Sequence, residues 1–171
     1  MSSVITVRNA CVHFRSGPPW APETVKALQN ISLTIEPGQI VGVVGESGSG
    51  KTTLGRACLG LQPLSSGEIE FCGSPFNKLV GKQLSGQLAA VLQNPRMSLN
   101  PALRVAASVA EPLRIKGDSQ SLDLRRRVDQ ILERVGLPSG VGDRFPNELS
   151  GGQRQRVSIA RALITDPKFI L

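Results

Sequence analysis

An apolar run that leads directly into a glycine-rich segment constrains the fold of this chain more than any other feature. Residues 40–44, with the sequence IVGVV, fit a buried parallel strand. Residues 45–52, with the sequence GESGSGKT, fit the pattern G-x-x-x-x-G-K-[ST] in full. Residues 52–61 then carry a helical pattern. The sequence therefore predicts the strand, loop and helix that this pattern needs in order to bind phosphate.

Residues 45–52, which we call the phosphate loop, have the chemistry that a phosphate chain requires. The glycines let successive backbone N–H groups turn inward toward phosphate oxygens, and the following helix N-terminus adds partial positive charge. Lys51 can reach the β- and γ-phosphates, and the Thr52 hydroxyl can ligate Mg²⁺. The alternative, an ordinary Gly/Ser-rich turn, does not need the flanking strand and helix. The loop consists of Gly45, Glu46, Ser47, Gly48, Ser49, Gly50, Lys51 and Thr52.

A second motif, which we call the signature segment, lies far downstream at Leu149-Ser150-Gly151-Gly152-Gln153. Ser150 and Gln153 have the S-x-x-Q spacing of a capping box, in which two side chains satisfy backbone N–H groups of a first helical turn. A capped helix start alone does not explain the two glycines, because each costs about 1 kcal/mol of helix stability relative to Ala. Small residues there leave backbone N–H groups open to an approaching phosphate.

The composition limits the class of protein. A length of 171 residues fits one domain, and no apolar run approaches the roughly 20 residues that span a bilayer. The first residues carry no cationic segment ahead of an apolar one, so we do not expect a secretory signal. Cys11, Cys58 and Cys72 are isolated from one another. We therefore expect buried, reduced thiols in a cytoplasmic protein, ahead of metal ligands or disulfides.

The formal net charge of +7 raises the question of a nucleic-acid or other anionic partner. The basic residues occur in short separate groups, such as residues 125–127, and aromatic residues suited to base stacking are few. A nucleotide-binding protein with a solvated basic face explains this balance better.

The remaining pattern alternates strands and helices. Residues 4–14, 27–35, 69–72, 88–92 and 168–171 are strand candidates, and residues 36–39 form a turn. Residues 96–147 are mainly helical, and Gly136 is a candidate for the end of an amphipathic helix. The apolar face of that helix consists of Leu124, Val128, Ile131, Leu132 and Val135.

With both motifs in place, the chain resembles the ATP-binding cassette (ABC) ATPase domains over nearly its whole length. The resemblance implies an α/β fold of the P-loop NTPase type, with an N-terminal antiparallel β part, a parallel core sheet and a helical subdomain. Residues 1–94 would form the β part and phosphate-loop core, residues 95–148 the helical subdomain, and residues 149–171 the signature helix and the start of the Walker B strand. We expect this fold to be C-terminally incomplete, because the sequence ends at Leu171.

The resemblance also implies roles toward ATP and Mg²⁺. Phe14 matches an aromatic residue that stacks on adenine, with a core side chain as the alternative. Gln93 matches a glutamine that contacts Mg²⁺ and the attacking water, and the catalytic residues would be Gln93 and Lys51. Two cassettes of this family face each other head to tail, so that each nucleotide lies between one phosphate loop and the other cassette's signature segment. The implied nucleotide-binding residues are Phe14, the phosphate loop, Thr53, Ser150, Gly151, Gly152 and Gln153, and the implied metal ligands are Thr52 and Gln93.

Residues 93–101 and 110–117 look like the corresponding segments of bacterial oligopeptide, dipeptide and nickel importers. This implies an ATPase subunit that drives uptake of peptides or a related small solute such as nickel. Its partners would be a second ABC ATPase subunit, in a homo- or heterodimer, and transmembrane permease subunits. A periplasmic or extracellular solute-binding protein would act indirectly, and no nucleic acid is expected. Such a subunit lies peripherally on the cytoplasmic face of the cell inner membrane.

The family's Walker B Asp-Glu pair and switch histidine have no match before Leu171. We therefore expect ATP hydrolysis by residues 1–171 alone to be slow. Glu46 and Glu148 belong to other motifs and do not replace that pair. Two alternatives stay open: a soluble ABC ATPase that acts on DNA, ribosomes or cluster assembly, and a non-catalytic nucleotide-binding fragment.

Overall fold

The computed structural model describes residues 3–18, 20–21, 23–79, 81–92, 99–118 and 123–171. The chain divides into two compact units, residues 1–80 and residues 81–171. The domain boundaries suggested by the resemblance, after residues 94 and 148, stay predictions. Among the described residues, no helix combines the length and apolarity that crossing a bilayer requires.

The first unit is built on an antiparallel sheet with the strand order β2-β1-β3-β4. Its strands are β1 (Ile5–Ser16), β2 (Glu23–Ile35), β3 (Ser66–Phe71) and β4 (Ser74–Pro75). Alternating apolar residues turn one face of β1 inward, and the predicted antiparallel β part is confirmed. The buried side chains of this sheet include Ile5, Val7, Val12, Leu28, Ile69 and Phe71.

The helix predicted after the phosphate loop is confirmed with shorter bounds, as α1 (Lys51–Cys58). It ends where Gly60 adopts a φ of 71° and the N–H of Leu61 donates to the carbonyl of Arg56 over 2.9 Å. This pattern of a left-handed glycine with a backward hydrogen bond is a common helix terminus. The buried residues of α1 are Leu54, Gly55, Ala57 and Cys58.

The buried parallel strand predicted for residues 40–44 is wrong. The backbone there has no strand assignment, and the side chains of Ile40 and Val44 are 98% and 93% exposed. A strand requires a hydrogen-bonding neighbour, and the strands of this unit pair with one another in the order β2-β1-β3-β4. The predicted turn just before this run is confirmed, since the N–H of Gln39 donates to the carbonyl of Glu36 over 3.1 Å.

The three cysteines differ in burial, whereas the sequence predicted that all of them are buried. All three are free thiols, as expected, but only Cys58 is buried, while Cys11 and Cys72 are half-buried. Burial raises the pKa of the Cys58 thiol to about 11. A hydrogen bond with the Ser66 side chain and one from the Asn30 backbone lower the pKa of the Cys11 thiol.

We expect iodoacetamide to modify Cys11 in the folded chain and Cys58 only after unfolding, because the thiolate is the reactive form.

The unfolded chain releases the Cys58 proton near pH 8.5, roughly the ordinary value. The folded chain retains that proton to about pH 11, so the free energy of unfolding should fall as the pH rises above about 8.5. Urea unfolding at pH 8 and 10, roughly the window in question, measures this fall. Cys58→Ala should reduce it, and an equal fall in that variant would contradict the assignment.

The second unit combines helices with a two-stranded parallel sheet. Its helices are α2 (Gly81–Leu84), α3 (Val105–Lys116), α4 (Leu124–Arg134) and α5 (Gly151–Leu163), and its strands are β5 (Leu88–Ala89) and β6 (Phe169–Ile170). Leu88 pairs with Phe169 and Ala89 with Ile170 in parallel register. The strands predicted for residues 88–92 and 168–171 are therefore confirmed in shorter form, together with parallel pairing.

The core of the second unit lies among α3, α4 and α5. The amphipathic face predicted for α4 is confirmed, since its apolar residues pack into this core. Gly136 ends α4 with a φ of 72°, and the N–H of Leu137 donates to the carbonyl of Leu132 over 3.0 Å. The largest fully buried side chains here are Leu113, Val105, Val109, Val128, Val141 and Val157.

The arginine run on α4 is neutralised locally. Arg125 bonds both Asp129 and Asp143, Arg126 bonds Asp123, and Arg127 bonds Asp118. The Arg125 guanidinium holds the pKa of the Asp143 carboxyl below its ordinary value. Because each of these arginines has a carboxylate partner, the run does not form a free basic patch of the kind that binds phosphate backbones.

Candidate nucleotide-binding site

The phosphate loop runs without interruption into the N-terminus of α1. Gly50 is the residue that caps the helix, with a φ of 91°, and Gly48 has a φ of 84°. Both values lie in the left-handed region that glycine adopts without steric cost. Residues 45–49 are exposed, so the loop presents its backbone to solvent at the positive end of the helix.

Gly50 is also required by a close backbone approach. A Cβ at this position would clash with the carbonyl oxygen of Ala27 on β2 and would lie 3.1 Å from Cδ2 of Leu28. A Cβ on Gly48 would meet nothing within 4 Å. The two glycines therefore serve different purposes: Gly48 supplies backbone conformation alone, and Gly50 also lets the loop sit against β2.

The Lys51 ammonium group folds back over the phosphate loop. Its Nζ donates to the carbonyl oxygens of Gly45 and Glu46 over 2.7 and 2.5 Å, and to Oγ of Ser49 over 3.4 Å. These acceptors carry no net charge, so they hold the ammonium in place without neutralising it. The arrangement leaves a positive charge at the mouth of the loop, where the β- and γ-phosphates of a nucleotide would lie.

Thr52 and Thr53 lie in the first turn of α1, where Thr52 is exposed and Thr53 half-buried. The Thr52 hydroxyl fits one coordination position of a Mg²⁺ ion that arrives with phosphate oxygens. Among the residues that the structure describes, no group of three or more His, Cys, Asp or Glu residues could hold a metal by itself.

Phe14 lies in β1 directly opposite Val25 of β2. The Phe14 residue is 40% exposed and Val25 is 51% exposed, so Phe14 is not the core side chain that remained an alternative. The pair forms an apolar surface of the kind on which a base can stack. Sequence reasoning did not single out Val25, because its position opposite Phe14 depends on the register of β1 against β2. Gln93 lies outside the described residues.

The predicted capping box of the signature segment is confirmed. The N–H of Gln153 donates to Oγ of Ser150 over 3.2 Å, and the N–H of Ser150 donates to Oε1 of Gln153 over 3.0 Å. Gly151 and Gly152 are exposed, and a Cβ at either would meet nothing within 4 Å. The segment thus presents the Ser150 hydroxyl and open backbone N–H groups at the N-terminus of α5, an arrangement that favours anions.

The fold and the two motifs define a nucleotide-binding cassette, and comparison with known families agrees. The family model described as ABC transporter matches residues 28–171. The chain therefore belongs to the ABC transporter family, and membership implies nucleotide binding.

Named relatives and solved structures are consistent with this assignment. The oligopeptide transport ATP-binding protein OppF of Streptococcus mutans is 42% identical over 172 residues, which cover 98% of this chain and 55% of that protein. The glutathione import ATP-binding protein GsiA of Salmonella paratyphi A is 47% identical over 150 residues, covering 86% of this chain and 24% of that protein. This chain thus spans about half or less of the curated relatives that it matches.

A solved dimer of the ATP-binding cassette MJ0796, in a post-hydrolysis state bound to ADP and Pi, has the same fold. Its TM-score is 0.83 at 31% sequence identity, over 97% of this chain and 72% of that one. The α/β fold predicted from the resemblance is therefore confirmed.

Proposed function

We propose that this chain is the ATP-binding part of an ABC importer, which couples ATP binding and hydrolysis to the uptake of peptides or a related small solute such as nickel. The observation that carries the proposal is the Lys51 ammonium, which is held on the carbonyls of Gly45 and Glu46 over a loop that opens a helix N-terminus. This geometry offers a fixed cation, helix polarity and backbone N–H groups to one phosphate chain.

The residues of the first unit would bind ATP in an extended arrangement. The triphosphate would lie on the phosphate loop, and the adenine would stack on Phe14 beside Val25. Mg²⁺ would neutralise charge that develops on the phosphates during transfer, with Thr52 as its ligand from the first unit. Gln93 is the second ligand that the family resemblance implies. Lys51 and Gln93 would act as the catalytic residues, Lys51 through its charge and Gln93 through the attacking water.

The signature segment would act on the nucleotide of a second cassette, either another copy of this chain or a related subunit. Its support is the exposed N-terminus of α5, where Ser150, Gly151 and Gly152 leave donors for a γ-phosphate. Closure of two such cassettes around ATP would move transmembrane permease subunits. A peripheral position on the cytoplasmic face of the cell inner membrane follows from that role.

The names of the relatives support a peptide-like solute. The S. mutans protein is named for oligopeptide transport and the S. paratyphi protein for glutathione import. The proposal that nickel is the solute rests only on the likeness of residues 93–101 and 110–117 to importer segments. We therefore place peptides first and nickel second.

Uptake in cells tests this function. With Lys51→Ala in the full-length gene, uptake of a labelled peptide, or of nickel, should fall to the level of a gene deletion. Lys26→Ala, which removes an exposed lysine from β2, is the matched control and should keep wild-type uptake. If Lys51→Ala cells accumulate both peptide and nickel at the wild-type rate, the proposed importer function is wrong.

A further inference from the structure

Arg154 contacts the backbone that leads into the signature segment. Its Nη1 donates to the carbonyl oxygen of Leu149 over 2.6 Å and to that of Pro146 over 3.2 Å. Leu149 immediately precedes Ser150, and Pro146 begins the short 3-10 turn Pro146–Glu148. One guanidinium nitrogen thus ties this turn to the first turn of α5.

The position of the Arg154 side chain lowers folding stability, so a contribution to stability does not explain why an arginine occurs there. The side chain is partly buried, and among the described residues its Nε is buried with no hydrogen-bond partner. A buried donor without a partner is destabilising. A well-packed apolar residue would avoid that cost, but it could not donate to either carbonyl.

The geometry that Arg154 fixes is the one that the signature segment needs. Leu149 is buried and anchors the segment in the core of the second unit, whereas Gly151 and Gly152 are exposed and have open space around them. Two consecutive glycines make a first helical turn that is easily disordered. The bonds from Arg154 restrain the backbone that leads into that turn. They leave exposed the Ser150 hydroxyl, whose oxygen accepts from Gln153, and the backbone of Gly151 and Gly152.

We propose that Arg154 is a positioning residue: it holds the signature segment in the conformation that meets the γ-phosphate of a second cassette's nucleotide. The inference rests on the proposed function of the signature segment. Arg154 itself contacts no nucleotide in this role, and acts only through the carbonyls of Leu149 and Pro146.

Arg156 provides a matched control on the same helix. Its Nη1 also donates to a backbone carbonyl, that of Gly136 over 2.7 Å, at the end of α4. Arg156→Gln therefore removes the same charge and the same kind of hydrogen bond, but away from the signature segment. Arg154→Lys retains the charge and places N–H donors on a shorter side chain that lacks the planar guanidinium.

The test uses the full-length chain, both purified alone and captured with its partner subunits from membranes through a tag. Arg154→Gln should speed amide hydrogen exchange of residues 147–153 by roughly tenfold or more, and slow phosphate release by the captured complex to a similar degree. Binding of a fluorescent ATP analogue by the isolated chain should be unchanged. Arg154→Lys should recover part of both losses, and Arg156→Gln should match wild type in both.

Results that contradict the role of Arg154 differ from results that contradict the proposed role of the signature segment. Wild-type exchange at residues 147–153 in Arg154→Gln, faster exchange spread evenly over the second unit, or wild-type turnover despite faster local exchange would each overturn the positioning role. Ser150→Ala separates this failure from failure of the proposed function. If Ser150→Ala abolishes turnover while Arg154→Gln retains it, only the inference fails; if Ser150→Ala turns over normally, the role of the signature segment itself fails.

Discussion

Replacing Gly50 with Ala should disrupt the phosphate loop, whereas the same substitution at Gly48 should have a small effect. Both residues have a left-handed backbone, with φ values of 91° and 84°, which costs an L-residue about 1–2 kcal/mol. Only at Gly50 does the added Cβ clash, with the carbonyl oxygen of Ala27. Relief requires β2 or the N-terminus of α1 to shift, and such overpacking costs about 1–3 kcal/mol more.

The free energy of unfolding should therefore fall by about 2–5 kcal/mol in Gly50→Ala and by about 1–2 kcal/mol in Gly48→Ala. Urea unfolding followed by circular dichroism measures both values. A shifted loop would also bind nucleotide poorly, so Gly50→Ala should lose affinity for a fluorescent ATP analogue. Equal destabilisation by the two substitutions would contradict the close approach of Gly50 to β2.

Local motifs were predictable from the sequence because their geometry depends on a few neighbouring residues. The capping box of Ser150 and Gln153 follows from a three-residue spacing, and both hydrogen bonds form. The termination of α4 at Gly136 follows from the absence of a Cβ in a left-handed conformation. The strands predicted for residues 4–14 and 27–35 follow from their β-branched and apolar residues, and they form as parts of β1 and β2.

Features that depend on distant partners were not predictable. The apolar run at residues 40–44 has the composition of a buried strand, but composition does not provide the neighbour with which a strand must pair. The half-burial of Cys11 depends on the register of β1 against β2 and β3. Arg154 leaves no signal in the sequence pattern, because the groups that it contacts are backbone carbonyls, which every residue possesses.

Lys51→Ala should weaken Mg·ATP binding by the isolated full-length chain roughly 10- to 100-fold, the range for losing hydrogen bonds to a charged group. Lys51 is the cation that the loop carbonyls hold at its mouth, and Ala leaves the phosphates with backbone donors alone. Ser150→Ala should leave this affinity nearly unchanged, since Ser150 is proposed to meet the nucleotide of a second cassette. The variant should remain folded, because loss of a helix N-cap costs only about 1 kcal/mol.

Equilibrium titration of the isolated chain with a fluorescent ATP analogue and Mg²⁺, on wild type, Lys51→Ala and Ser150→Ala in parallel, tests the central claim most directly. The account predicts a large loss of affinity in Lys51→Ala and wild-type affinity in Ser150→Ala. Both variants should nevertheless lose phosphate release in the complex captured from membranes. Equal losses of affinity in the two variants would contradict the assignment of the phosphate loop and the signature segment to different nucleotides.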